Sequence, residues 1–449
     1  MTENSKDKVI VRFPPSPTGR LHIGNIRSLL FNYLYAKKCG GDIVMRFEDT
    51  DEARSKKEYE DFALKTLSDL GLDFDRGPFR QSERKEFYRD AIETLIRNDK
   101  AFEAEEKEGG DGEKVIRFRN PNKIVTFVDT VKGEIKIDTT SFGDFVIARS
   151  KKSPLYHLTV VVDDIDMGVT DVIRGEDHVT STPRQILLIE ALGGNIPRYT
   201  HLPLIIGDDK KKLGKRHGAV TWNEFKGLGY LPEAIINYLA LLGWNPGNGD
   251  EREIFSKEEL INEFSLEKVN NSPATFSYIK LDDINRQWML KLDKEKYYKK
   301  ALEFISPKIR GRFEESKEKG QKIIEKVVRE RISKFSEIID MENENEFDYY
   351  FSNPVVADSD LVFKTDGLDK TLEILTKTSD ILEKIPVNEW NFENLKNSLW
   401  DWSGEIGRGS VLHPLRTILT GAKRSPDPFT VMEILGKEES LGRINRRIS

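Results

Sequence analysis

At 449 residues, with 37% hydrophobic and 33% charged content, the chain is too long for one ordinary core, and two to four domains are expected. No apolar run approaches the roughly 18 residues that span a bilayer, and the polar residues 1–8 hold no signal-peptide core, so neither a membrane span nor export is expected. A single cysteine, Cys39, excludes an internal disulfide and a cysteine-based zinc cluster and fits a cytoplasmic protein; the net charge of −6 excludes a globally basic nucleic-acid binder and leaves RNA contacts to local patches such as residues 210–216 and 443–447.

Val9-Ile10-Val11-Arg12-Phe13 is apolar and β-branched and predicts a buried strand. A Pro- and Gly-rich turn follows over residues 14–19. From His22 the side chains Ile26, Leu29, Leu30, Tyr33 and Leu34 recur at helical spacing, and Gly40-Gly41 stops the helix. Asp42-Ile43-Val44-Met45-Arg46-Phe47 predicts a second strand. Strand, helix and strand at this length predict a βαβ unit in a parallel sheet, with ligands beyond the strand carboxyl ends. The 14–19 turn and Glu48-Asp49-Thr50-Asp51 both fall there.

Helical periodicity returns over 83–98, and the acidic, Gly-rich stretch 102–112 predicts an exposed loop. Short alternating strands over 115–148 read as a β-rich insertion. Residues 155–162 and 169–173 regain buried-strand character, so the insertion splits one α/β domain in two. After Trp222 strands stop. Residues 231–242, with Pro in the first turn and Gly243 at the stop, carry a helix signature. From about residue 293 the chain is Lys/Glu-rich and helical, with 341–346 and 352–360 as loops.

Two segments about 190 residues apart carry the chemistry. In the first, the proline-rich turn is a rigid wall largely without N–H donors. His22-Ile23-Gly24-Asn25 then opens a helix whose free N–H groups and positive dipole end favour phosphate. His22 and Asn25, three apart, lie on one face and suit an α-phosphate on which charge develops. The same pair also suits a plain helix cap. In the second, Lys211, Lys212, Lys215 and Arg216 crowd a loop around Gly214, between Gly207 and Gly218. Compact ammonium groups there suit β- and γ-phosphates, although a solvated basic turn has the same composition.

These residues resemble class I aminoacyl-tRNA synthetases. His22-Ile23-Gly24-Asn25 is similar to the "HIGH" signature, and Lys212-Leu213-Gly214-Lys215-Arg216 to "KMSKS". Within the class the resemblance is to the bacterial glutamyl-tRNA synthetases. It is supported by Arg46-Phe47-Glu48-Asp49-Thr50-Asp51, Gln81-Ser82-Glu83-Arg84, Val161-Val162-Asp163-Asp164, Ile173-Arg174-Gly175-Glu176-Asp177-His178 and Thr182-Pro183-Arg184-Gln185. Pro414-Leu415-Arg416 with Leu419-Thr420-Gly421 resembles the anticodon-binding end, so the likeness covers nearly the whole chain.

The resemblance implies an α/β Rossmann-type catalytic domain with a β-rich insertion, followed by an all-α C-terminal anticodon-binding region. The expected division is 1–97 and 156–222 for the two catalytic halves, 98–155 for the insertion that holds the tRNA acceptor end, 223–305 for a helical stem-contact domain and 306–449 for the anticodon domain. The implied reaction is ligation of L-glutamate to the terminal adenosine of tRNA-Glu through glutamyl-adenylate, with ATP, Mg²⁺ and bound tRNA needed for activation. A cytoplasmic monomer is the family expectation.

Carried over by residue, Arg12 and Tyr156 face the glutamate side chain, Ser16 and Glu48 its ammonium, and Arg174 its carboxylate. An Arg fork with a phenol pairs a carboxylate well. Arg174 would equally suit a structural ion pair, and Tyr156 plain core packing. Thr18, His22, Gly24, Glu176, Lys212, Leu213 and Lys215 line the ATP site, with His22, Asn25, Lys212 and Lys215 as the catalytic group. Arg416, Ser425 and Pro426 are the anticodon candidates. No protein metal ligand and no general base are expected, because the adenylate is already an activated acyl donor.

Three departures stand out. Asn25 replaces the second His of the signature and can still donate. Gly214 replaces the usual Ser and removes a hydroxyl. Residues 102–112 lack the cysteines that bind zinc in some relatives, so no zinc is expected. Ser16 and Thr18, together with a helical end, argue against glutaminyl-tRNA synthetase. A duplicated glutamyl enzyme charging tRNA-Gln stays open. A non-catalytic tRNA-binding paralog would have lost His22, Lys212 or Lys215, all of which are present.

Overall fold

Strand β1 (Ile10–Phe13) leads through helix α1 (Ile23–Lys38) to β2 (Asp42–Phe47), and α2 (Lys57–Leu70) leads to β3 (Arg76–Arg80). The computed structural model describes residues 8–105, 114–214, 218, 221–247 and 249–448. β1, β2 and β3 pair in parallel, as the βαβ reading predicts. The expected stripe of α1 is buried, but so are Phe31, Asn32 and Ala36, so this helix is covered on most sides. Gly40 turns the chain out of α1 at φ +63°, which costs a glycine little.

After α3 (Lys85–Arg97) the insertion supplies β4 (Ala101–Glu105), β5 (Lys114–Phe118), β6 (Ile124–Asp129), β7 (Gly133–Asp138), β8 (Phe145–Ser150) and β9 (Ser153–Pro154). β4, β5, β8 and β9 form one antiparallel sheet. The loop expected over 102–112 is corrected in its first part, where residues up to Glu105 pair with β5; residues 106–113 lie outside the described residues. The β6–β7 hairpin leaves that sheet and joins the second half of the α/β layer.

That second half contains the main correction. Residues 155–162 are not a strand but the start of helix α4 (Tyr156–Asp166). Leu158 through Asp163 are buried in succession. A helix buried all round reads as a continuous apolar run, just as a buried strand does, and packing overrides the β preference of three valines. Then come β10 (Asp171–Gly175), α5 (Thr182–Leu192), β11 (Arg198–Leu202) and β12 (Ile205–Ile206). β10 pairs in parallel with β11, and β11 with β6 at Tyr199 and Asp129. Thr170 just before β10 donates its N–H to Ile10 O at 2.9 Å and accepts Ile10 N–H at 2.8 Å on its hydroxyl. The strands therefore run β3-β2-β1-β10-β11, the doubly wound order whose crevice opens between β1 and β10. One core, including Val44, Tyr88, Ile92, Ile147, Leu158 and Leu188, is shared by this layer and the insertion.

Helices α6 (Trp222–Gly227), α7 (Pro232–Leu241) and α8 (Lys257–Glu263) follow, with the short β13 (Ala274–Thr275) pairing with β12 and α9 (Tyr278–Lys291) at the end. β13 corrects the expectation that strands end at Trp222. The chain divides into two units, Met1–Trp288 and Met289–Ser449. Among the described residues of the second unit no strand occurs. Its helices bury Leu375, Leu399, Val411, Leu415, Leu419, Met432 and Ile444, and Trp390 Nε1 donates to Met432 O at 2.9 Å. Met341 sits in the helix Glu337–Asn343 rather than in the expected loop. Arg443 does not serve the expected basic patch: it is 5% exposed and donates to Leu419 O, Ser352 O and Glu439. No described helix is long and apolar enough to cross a membrane.

Candidate active site

Arg12 projects from near the carboxyl end of β1 and is 2% exposed. Its Nε donates to Asp164 Oδ2 on α4 at 3.4 Å, a long contact. Arg46, fully buried on β2, donates from Nη1 to Asp164 Oδ1 at 2.8 Å and from Nη2 to Glu48 Oε1 at 3.2 Å. Its Nε stands 3.4 Å from Asp163 Oδ2. Asp163 also accepts from Gln81 Nε2 at 2.8 Å, Arg84 Nε at 2.7 Å and Tyr88 Oη at 3.0 Å. The helical turn of α4 is what aims both acids at Arg46, which a strand would point to opposite faces.

These contacts set the charges. Burial pushes Asp164 up, but Arg12 and Arg46 outweigh it and hold the carboxyl below its usual value. Glu48 stays above its usual value because burial exceeds the pull of Arg46 and Arg12. Arg46 is spent on three acids, whereas the two Nη groups of Arg12 have no hydrogen-bond partner among the described residues.

Arg174, at the end of β10, is 7% exposed and donates only to neutral acceptors: His201 Nε2 at 3.1 Å, Gln185 Oε1 at 2.8 Å and Thr182 Oγ1 at 2.8 Å. No described carboxylate lies in ion-pair range, and burial lowers its pKa. The ion-pair alternative for Arg174 is therefore not what the fold builds. A buried cation without a counter-ion is costly and marks a place for an anion. Tyr156, the first residue of α4, is only half-buried, and its hydroxyl lies 3.4 Å from His178 Nδ1. Burial, then the charge of Glu48, raises its pKa, while Arg174 and Arg12 oppose. Arg12, Glu48, Tyr156 and Arg174 are thus brought together. Ser16 and Thr18 are exposed in the turn, which is tied to the site by Glu48 N–H to Pro15 O at 3.1 Å.

His22 is the N-cap of α1. Its Nδ1 accepts Gly24 N–H at 3.1 Å, and Asn25 Oδ1 accepts His22 N–H at 3.2 Å. The capping alternative is therefore realised, and among the described residues it leaves the far edge of the ring, Nε2, without a hydrogen-bond partner. A Cβ on Gly24 would meet the His22 ring at 2.9 Å, so only glycine fits beneath it. Protein packed behind the ring, then the Lys212 charge, lowers the His22 pKa, with Asp177 opposing.

The fold brings the two distant segments close. His22 forms an isolated antiparallel bridge with Thr221, just past the basic loop, and Lys212 forms one with Ile206. Lys212 Nζ lies 3.4 Å from Asp177 Oδ2. Leu213 N–H donates to Ile205 O at 3.0 Å. Lys215 and Arg216 lie outside the described residues. A Cβ at Gly214 would meet nothing within 4 Å, so packing does not demand a glycine there. Glu176 faces neighbours rather than open space: Oε2 pairs with Lys132 Nζ at 2.5 Å, and Oε1 accepts Leu204 N–H at 2.9 Å.

In the second unit, Arg416 is half-buried on the helix Arg408–Thr420, and its Nε has no hydrogen-bond partner. Ser425 and Pro426 follow in the link to the helix Pro428–Leu435, where Ser425 Oγ donates to Pro426 O at 3.0 Å. A cavity of about 500 Å³ opens beside them, lined in part by Asp348, Tyr349, Thr420, Lys423 and Arg424.

Two family models match the same two parts. The family described as tRNA synthetases class I (E and Q), catalytic domain, matches residues 8–109 and 102–283, and an anticodon binding domain matches 286–448. A glutamate–tRNA ligase of Aquifex aeolicus is 38% identical, covering 98% of each chain. One from Sulfurihydrogenibium is 36% identical, covering 97% of this chain and 98% of its own. This chain belongs to the glutamate–tRNA ligase family. Among solved glutamate–tRNA ligases, a crystal structure from Elizabethkingia meningosepticum in complex with its amino acid superposes with TM-score 0.83 at 30% identity, covering 98% of this chain and 99% of that one. The glutamate–tRNA ligase of Elizabethkingia anophelis gives 0.81 at 30% identity.

Sequence reasoning about this ligase missed the acids that organise the pocket. Asp163 and Asp164 were recognised only as a family segment, and Asp129 and His201 not at all. An acid pair closing a long apolar run, with the turn glycine only at Gly168, was the available signal.

Proposed function

We infer that the chain ligates L-glutamate to the terminal adenosine of tRNA, with MgATP consumed to form glutamyl-adenylate and pyrophosphate. The observation that carries the site assignment is charge arithmetic in the crevice. Glutamate brings two carboxylates and one ammonium. Arg12 offers its free fork to the side-chain carboxylate, with the Tyr156 hydroxyl beside it. Arg174, which has no carboxylate partner among the described residues, takes the α-carboxylate. Glu48, with Ser16 at its rim, takes the ammonium. Glutamine would place a neutral amide on the Arg12 fork and leave that charge uncompensated.

The α-carboxylate then attacks the α-phosphorus, and pyrophosphate leaves. His22 Nε2 and Asn25 at the helix start stabilise the charge that develops, helped by the α1 dipole. Lys212 and Lys215 neutralise the leaving phosphates, and Thr18, Gly24, Glu176 and Leu213 complete the nucleotide wall. Mg²⁺ enters with the nucleotide, whose phosphates supply the hard oxygen ligands it prefers. A hydroxyl of the terminal adenosine next attacks the acyl carbon and AMP leaves, a step that asks the protein for positioning. We further propose the five-part division given above, with 98–155 holding the acceptor end and Arg416, Ser425 and Pro426 facing the anticodon. The same reading makes the enzyme a cytoplasmic monomer.

A second reading, a duplicated enzyme that charges tRNA-Gln, draws support from Gly214, which nothing in the packing requires. ATP–pyrophosphate exchange in the presence of tRNA tests the site. Glutamate is expected to support exchange and glutamine to fall below it by about 10²-fold or more; equal exchange with both would overturn the Arg12 assignment.

A further inference from the structure

Behind Arg174 lies a buried relay that begins in the insertion. Asp129, the last residue of β6, is 1% exposed. Its Oδ1 accepts the N–H groups of Val131 at 3.0 Å and Lys132 at 2.8 Å. Its Oδ2 accepts His201 N–H at 3.0 Å and lies 2.7 Å from His201 Nδ1. Every partner is a donor, so the group is a carboxylate; burial pushes its pKa up, but His201 and the Lys132 and Val131 N–H groups together outweigh burial and hold it below the usual range.

His201 is fully buried on β11. Its ring lies parallel to Tyr199, with centroids 6.1 Å apart, and edge-on to Phe127 at 6.4 Å. The hydrogen bonds fix its tautomer. Arg174 has no acceptor, so the Nε2 that meets Arg174 Nε at 3.1 Å must offer a lone pair. Thr182 Oγ1, 3.2 Å from the same Nε2, spends its own proton on His178 O at 3.1 Å. The proton of His201 therefore sits on Nδ1 and points at Asp129. Arg174 is oriented from three sides by His201, Gln185 and Thr182, and lies over the Tyr199 ring at 5.7 Å.

We propose that Asp129 and His201 are positioning residues for the amino-acid α-carboxylate: Asp129 fixes the His201 tautomer, and the Nε2 lone pair then aims the Arg174 guanidinium. The proposal rests on the reading that Arg174 holds that carboxylate. It gives the inserted hairpin a part in amino-acid recognition, through the strand that pairs with β11 at Tyr199. The same turn reaches the neighbouring residue pair too, because Lys132 Nζ grips Glu176 and Asn271 O, the latter at 3.1 Å.

Asp129→Asn is nearly isosteric but brings an amide that must face donors. It frees His201 to carry its proton on Nε2, placing N–H against N–H at Arg174. The readouts are the KM for glutamate, the KM for ATP, and the Ki of 4-amino-5-hydroxypentanoate, in which the α-carboxylate is reduced to an alcohol. All are taken in ATP–pyrophosphate exchange with tRNA present. Asp129→Asn should raise the glutamate KM about tenfold or more, the worth of one hydrogen bond to a charged group. The Ki of the alcohol and the KM for ATP should change less than about twofold, because neither ligand meets Arg174 with an α-carboxylate. His201→Gln keeps an acceptor toward Arg174 and should hold the glutamate KM within about threefold; adding Asp129→Asn to it should do little more, a coupling that a purely structural role would not give.

Equal losses for glutamate and the alcohol, or an Asp129→Asn effect that persists undiminished beside His201→Gln, would overturn the relay. Arg174→Ala separates the two ideas. If it weakens glutamate and the alcohol alike, the assignment of Arg174 fails; if it weakens glutamate alone while Asp129→Asn does not, only the relay fails. Should Asp129→Asn not fold, His201→Phe against His201→Gln asks the same question, since only Phe lacks the acceptor.

Discussion

Arg12→Ala lowers kcat/KM for glutamate in ATP–pyrophosphate exchange by about 10²-fold or more, with ATP binding nearly unchanged. The size follows from what the side chain does and where it sits. Arg12 is 2% exposed, and among the described residues only its Nε is engaged, by a 3.4 Å contact to Asp164. Its outer fork is the buried cation available to the substrate side chain, because Arg46 is consumed by Asp163, Asp164 and Glu48. Removing it leaves a buried carboxylate of the substrate without a partner. Asp164 keeps Arg46 at 2.8 Å, so the pocket itself should survive. Exchange at the wild-type rate would remove Arg12 from the glutamate site.

The second large effect is on stability. Asp163→Ala should cost about 3–5 kcal/mol, the usual result of breaking a buried charge network from one side. Asp163 is fully buried, and it collects Gln81, Arg84, Tyr88 and Arg46 from β2, α3 and the short turn before α3. Without it the Arg46 Nε and the Tyr88 hydroxyl are left buried beside a void. Urea unfolding followed by hydrogen–deuterium exchange, read separately over residues 8–288 and 289–448, should place the loss in the first unit. A loss below about 1 kcal/mol would mean that Arg46 is held by Asp164 and Glu48 alone.

The first βαβ unit, residues 10–47, was legible because its signals are local. The β1 residues, the α1 stripe and the β2 residues each declare a period of their own, and Gly40 sits where the helix must stop. The 155–162 run was not legible, because burial on all sides erases periodicity, and three successive valines read as strand. That one misreading hid the acid hub, since Asp163 and Asp164 reach Arg46 together only from a helix. The site residues on strand ends were found by motif, and the fold brings Arg12, Glu48, Tyr156 and Arg174 together. What motif could not supply was the state of each. His22 and Asn25 cap their helix as well as standing where chemistry was expected, and Arg174 has no anion partner among the described residues. The Asp129–His201 pair was invisible for a different reason: its members lie 72 positions apart and meet only when β6 pairs with β11.

The most direct test of the central claim is charging of purified tRNA-Glu and tRNA-Gln transcripts, kept separate, with labelled glutamate or glutamine and MgATP. Rapid formation of glutamyl-tRNA-Glu, dependent on ATP and absent with glutamine, is the predicted result. Transfer of glutamine instead, or no transfer of glutamate to either transcript, would contradict it.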